Sequence, residues 1–87
     1  MSVTRSQMFD VVRNNIEKVV EEAAGRDITE GTSMVDLGAD SLQIVEVVSR
    51  SIKELRLRVP RTELANARSV KDLLDLFEQA QQQTGSR

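Results

Sequence analysis

Apolar side chains recur every three or four positions from about Thr4 to Ala24, at Phe9, Val12, Ile16, Val19, Val20 and Ala23. At about 100° per residue they fall within roughly a 100° arc, the width of one buried helical stripe, so the spacing predicts a first helix here. Gly25 follows as its stop, since glycine readily takes the left-handed conformation that closes a helix. The periodicity then lapses over residues 26–40. Turn formers dominate that stretch (Asp27, Thr29, Gly31, Thr32, Ser33, Asp36, Gly38), and Ile28, Met34, Val35 and Leu37 are interspersed as apolar pegs. A long loop is expected, near the length at which a connection in a small domain usually has a function.

Helical spacing resumes from about Ser41 to Leu57. Ile44, Val45, Val47, Val48, Ile52 and Leu55 project within about a 160° arc, and Leu42 lies some 60° beyond its edge, which predicts a partly exposed leucine. Glu46, Arg50 and Lys53 occupy the opposite side, with Glu46 and Arg50 at i,i+4 as a weak pair worth ~0.3 kcal/mol. Pro60 ends this helix by disfavouring a helical Val59 and by lacking a backbone donor. A short third helical segment over 60–66 is expected. Ser69, with Asp72 three residues on, then caps a last helix whose buried stripe is Val70, Leu73, Leu74, Phe77 and Ala80. From Gln81 a frayed, disordered tail is expected, which makes 1–80 the domain and 81–87 the tail. The pattern is all-α: a four-helix bundle with a long first loop and a short third helix.

Eighty-seven residues make one domain, and with aromatics at 2% its core must be built from Leu, Val, Ile and Met. Neither cysteine nor histidine is present. That removes disulfides, thiol catalysis, the usual zinc ligands and the commonest general base, so an independent enzyme or a metal centre is not expected. Neither a signal-like apolar run at the N-terminus nor a stretch near the ~20 apolar residues of a membrane span is apparent, and a cytoplasmic protein is expected. The net charge of −2 hides an asymmetry: four basic and eight acidic residues precede position 41, and eight basic and six acidic follow.

The candidate chemistry lies at Leu37-Gly38-Ala39-Asp40-Ser41-Leu42, where the loop meets the second helix. Taken alone, Asp40 is a good N-cap, Gln43 completes an Asp-x-x-Gln capping box, and Gly38 permits a tight approach. Ser41 nevertheless sits at the first turn, where unpaired N–H groups and the positive end of the helix dipole would hold a phosphate ester. The whole order, from helix through long loop, Asp-Leu-Gly-Ala-Asp-Ser-Leu, amphipathic helix, Val59-Pro60 and Ser69-Val70, resembles the acyl carrier protein family over roughly residues 8–78.

That resemblance implies a discrete, non-catalytic carrier whose Ser41 receives 4′-phosphopantetheine from coenzyme A through a phosphopantetheinyl transferase. Acyl intermediates would ride as thioesters on the arm and shelter between the second and third helices. Asp40 matches the acidic residue that helps present the serine, and Gly38 the glycine of the turn. Leu42, Val45, Glu46, Ser49, Lys53 and Val59 match positions that meet partners such as acyltransferases and ketosynthases, in transient contacts of a monomer. The second helix departs from the strongly acidic one of fatty-acid carriers: Arg50, Lys53, Arg56, Arg58 and Arg61 stand in and after it. This favours polyketide or hybrid polyketide-peptide biosynthesis, including the stand-alone carriers of β-branching cassettes, over primary fatty-acid synthesis. A helical adaptor with no prosthetic arm is the alternative of another class. Nucleic acid is not an expected partner, because the chain is acidic overall and its basic cluster lacks stacking aromatics. Nor is a membrane, because the apolar side of the second helix is needed for the core.

Overall fold

The computed structural model describes residues 3–59 and 67–85, with side chains through Gln81. Three α-helices are present among them, α1 (Arg5–Val19), α2 (Ser41–Leu55) and α3 (Val70–Gly85), with a 3-10 turn at Glu21–Ala23. The expected short helix over 60–66 lies outside the described residues. Within them the protein is all-helical apart from one isolated antiparallel bridge between Ser33 and Ser69.

Helix α1 starts where Thr4 caps it, its side chain accepting from Gln7 N while the Gln7 side chain accepts from the Thr4 amide. It ends five residues earlier than the periodicity suggests, because Val20 is extended (φ −107°, ψ 98°) and the chain re-enters as a 3-10 turn. That break still lets Val20 and Ala23 reach the core. Gly25 takes φ +82°, but it closes a tight turn in which Arg26 N donates to Ala23 O at 3.0 Å, and not the α-helix itself. The buried stripe of α1 is Met8, Val12, Asn15 and Ile16; Phe9 and Val19 are only partly buried at its margin.

Helix α2 likewise ends before Leu57. Arg56 adopts the left-handed conformation (φ 57°, ψ 44°), and both its own N–H and that of Leu57 donate to Ile52 O, a glycine-type closure made without glycine. Leu57 is thereby turned into the core. Val45, which the projection places in the stripe, is 53% exposed. The buried arc of α2 is centred on Val47, Ser51 and Val48, and Val45 lies about 60° past Val48.

The loop between α1 and α2 is tied down at several points. Met34 N donates to Arg68 O at 3.0 Å, Val70 N to Thr32 O at 3.1 Å and Lys71 N to Glu30 O at 2.8 Å, so the loop runs beside the start of α3. Ile28, Met34, Leu37 and Ala39 are buried as pegs, whereas Val35 is 57% exposed. Ser69 and Asp72 form the expected cap of α3. Instead of fraying at Gln81, that helix continues to Gly85, and the Gln81 amide makes two hydrogen bonds to the backbone of Val3. Arg5 adds a second clasp, pairing with Glu30, Asp75 and Glu78. Hydrogen bonds hold the Glu30 and Asp75 carboxyls below the usual carboxylate range, from Arg5 at Glu30 and from Lys71, then Arg5, at Asp75.

Candidate functional site

Ser41 is the first residue of α2 and is exposed. Its position is fixed by the capping box before it. Asp40 is extended (φ −88°, ψ 177°), its carboxylate accepts from Gln43 N at 2.8 Å, and the Gln43 side-chain oxygen accepts from Asp40 N at 3.0 Å. Gln43 also donates through Nε2 to Val19 O at 3.3 Å, which fastens the start of α2 to the end of α1. Sequence inspection finds the box but not this third bond, whose partner is 24 residues away. The amides of Ser41 and Leu42 belong to the first turn and have no intrahelical acceptor, so they face the region of the Ser41 hydroxyl as donors.

Gly38 reaches this turn at φ +95°, a conformation costly for any residue with a Cβ. A side chain there would also run into the Glu22 carboxylate. Beside the turn lies a polar groove of about 530 Å³ lined by Lys18, Glu21, Glu22, Gly38, Asp40 and Gln43. With three carboxylates to one ammonium, that edge of the site is acidic.

The exposed face of α2 starts next to Ser41. Leu42 (77% exposed), Val45, Glu46, Ser49 and Lys53 all point to solvent. On the helical projection they fill one contiguous sector of about 100°. Leu42 is more exposed than its margin position suggests. Val59, the sixth expected contact residue, follows the helix and is half-buried against the core, so it is not part of that face. Val35, which the sequence reading assigns to the core, instead adds an exposed apolar residue in the loop leading to the site. The α2 surface also changes sign along its length, from the acidic groove at its N-terminal end to exposed Arg50, Lys53, Arg56 and Arg58 toward its C-terminal end. The Glu46–Arg50 pair within it is long, at 3.8 Å, and solvated.

These features suit a phosphodiester on Ser41. The hydroxyl is accessible, the helix start supplies donors, and Gly38 keeps the approach clear. Among the described residues no group of three or more metal-ligating side chains could hold an ion, and no helix is long and apolar enough to cross a membrane.

Comparison with known proteins agrees with this geometry. The family model described as the phosphopantetheine attachment site matches residues 10–77. The chain is 30% identical over 73 residues to the polyketide biosynthesis acyl-carrier-protein AcpK of Bacillus subtilis (strain 168), a match covering 84% of this chain and 89% of that protein. It is also 32% identical over 73 residues to the reducing polyketide synthase Preu2 of Preussia isomera, covering 80% of this chain but 3% of that synthase.

Proposed function

Since the chain belongs to the acyl carrier protein family, a family of non-catalytic carriers with a covalently attached 4′-phosphopantetheine, we propose that Ser41 is its attachment residue. The observation that carries this is an exposed serine at the first position of a capped helix, within the span matched by the attachment-site model. In the transfer, Ser41 Oγ bonds to the pantetheine-side phosphorus of coenzyme A as the pyrophosphate bridge breaks. The 3′,5′-ADP departs, and the hydroxyl proton passes to a base of the transferase. The acidic groove beside Ser41 would disfavour close approach of polyanionic coenzyme A to the free carrier. Once attached, the arm supplies the thiol that a cysteine-free polypeptide lacks. Asp40 and Gly38 position the site, through the cap and through the open turn.

The protein is a carrier in polyketide biosynthesis. Its working partners are thioester-processing enzymes, and we assign the contacts to Leu42, Val45, Glu46, Ser49 and Lys53, with Val35 beside them. A small apolar patch rimmed by charge suits brief docking, which a carrier that must leave each enzyme requires. The basic end of α2 supports partners whose docking surface is acidic there, and we assign these to acyltransferases and ketosynthases of a polyketide pathway, visited by the carrier as a monomer. Incubation of the apo protein with coenzyme A and a broad-specificity transferase, followed by intact-mass measurement, tests the attachment. Wild type should gain one phosphopantetheine and Ser41→Ala none; equal gain by both, or by neither, overturns it.

A further inference from the structure

One side chain joins the two walls of the acidic groove beside Ser41. Gln43 Oε1 accepts from Asp40 N at 3.0 Å while its Nε2 donates to Val19 O at 3.3 Å, so both ends of one amide are used. Val19 is the last residue of α1, and its carbonyl is among those that a helix end leaves without an intrahelical donor. Residues 18–22 line the groove from that side, and Gly38, Asp40 and Gln43 from the other. Among the described residues, the Gln43–Val19 bond is the one hydrogen bond between the two sets. A capping box alone does not call for glutamine. Glutamate at the same position accepts from the N-cap amide equally well and adds a negative charge that is favourable at a helix start. Of the two, only glutamine supplies a donor as well, and here the donor reaches α1. The first turn of α2 has little else to hold it: the Ser41 and Leu42 amides lack intrahelical acceptors, and the helical ladder begins with Ile44 N donating to Asp40 O at 3.0 Å.

We propose that Gln43 is a positioning residue for the loading of the arm: it holds Ser41 and the wall formed by residues 18–22 as one rigid surface, which the donor enzyme meets as a unit. This rests on the reading of Ser41 as the attachment residue. Ser41 lies two residues before Gln43 in the same turn, so the tie to Val19 fixes how the Ser41 side chain is directed relative to α1. Helix ends open more readily than helix centres. Without the tie, an enzyme docking at Ser41 must order the first turn and align it with Glu21 and Glu22 during the encounter, and that ordering is subtracted from binding. With the tie, the arrangement exists before contact. Once the carrier is docked, the transfer step uses the same atoms in either case, so loss of the tie falls on KM and not on kcat.

The test measures initial rates of arm transfer from coenzyme A by a broad-specificity transferase at graded concentrations of apo carrier, with intact mass as the readout. Gln43→Met removes both side-chain bonds without adding charge, Gln43→Glu keeps the acceptor and loses the donor, and Gln43→Lys regains a donor for Val19 O. Gln43→Met and Gln43→Glu should each raise KM for the carrier about fivefold, the factor expected of one net hydrogen bond, with kcat within about twofold. Gln43→Lys should recover most of that loss. Exchange of the Ile44 amide, followed by NMR, should quicken by a similar factor in the first two variants. Ser51→Ala breaks the buried bond from Asn15, ten residues farther along α2, and controls for general loosening: it should lower the melting midpoint and leave KM unchanged. A wild-type KM in Gln43→Met overturns the proposal. So does a loss that appears in kcat, an equal rise of KM in Ser51→Ala, or a KM that simply tracks the charge placed at position 43. A wild type that gains no mass refutes the attachment at Ser41 instead, and this inference with it.

Discussion

Replacing Val48 by aspartate probes the core assignment directly. Val48 is 1% exposed and belongs to the buried stripe of α2. The substitution forfeits about 1.5–3 kcal/mol of apolar burial. It also places a carboxylate where nothing pairs with it, and a folded-state pKa raised by roughly three units adds about 4 kcal/mol at neutral pH. Together these reach about 6 kcal/mol, against a total stability of about 4–13 kcal/mol for a domain of this length. The midpoint of thermal unfolding should drop by about 25 °C or more, or the variant should be unfolded outright. Because the carboxyl's folded pKa is raised, the electrostatic part of the penalty applies at neutral pH and fades as pH falls toward its unfolded pKa of about 4; the burial part stays. Circular-dichroism melts of wild type, Val48→Asp and Ser41→Ala at pH 7 and pH 4.5 check both statements. Ser41→Ala, altered at an exposed position, should stay within ~0.5 kcal/mol of wild type. A Val48→Asp midpoint within a few degrees of wild type at pH 7, or a gap from wild type that does not narrow on acidification, would refute the reasoning.

Further outcomes follow from the ends of the helices and from the Arg5 clasp. Arg56→Gly should stabilise the fold by about 0.5–1 kcal/mol, read by urea denaturation, since glycine takes the left-handed closure of α2 without steric cost. Asp40→Ala should lower stability by about 1 kcal/mol through loss of the cap, and should slow pantetheinylation in a mass-based time course. Glu30 and Asp75 have depressed pKa values, so their contribution is complete above the unfolded carboxylate pKa and is lost as pH falls through the folded one. Melting midpoints of wild type should therefore decline from about pH 5 downward, and Arg5→Gln should flatten that decline, a difference that high salt reduces.

Elements governed by local chemistry were legible in the chain. The capping boxes at Asp40 and Ser69 are written within four residues, and the helical stripes follow from spacing alone. What escaped depends on neighbours distant in sequence. Met8 is buried and Phe9 marginal because the covered arc of α1 is set by how α2 and α3 lie against it, which no single-helix projection contains. Val45 was lost from the core for the same reason, and its exposure adds to the docking face. Asn15 and Ser51 read as polar positions until two helices bring them together. The loop looked structureless because its hydrogen bonds run to Arg68 and from Val70 and Lys71, more than thirty residues away. At the candidate site the serine, its cap and the glycine were all recognisable, while the bond from Gln43 to Val19 and the exposure of Val35 were not.

The clasp between Val3 and Gln81 joins the beginning of the fold to its last turns. A flanking polypeptide can therefore enter and leave at a single place, and the bundle can be threaded into a longer chain like a bead without its neighbours having to span it. One architecture then suits both a short chain, such as the relative of which the match covers 89%, and a small portion of a much longer one, such as the synthase of which it covers 3%.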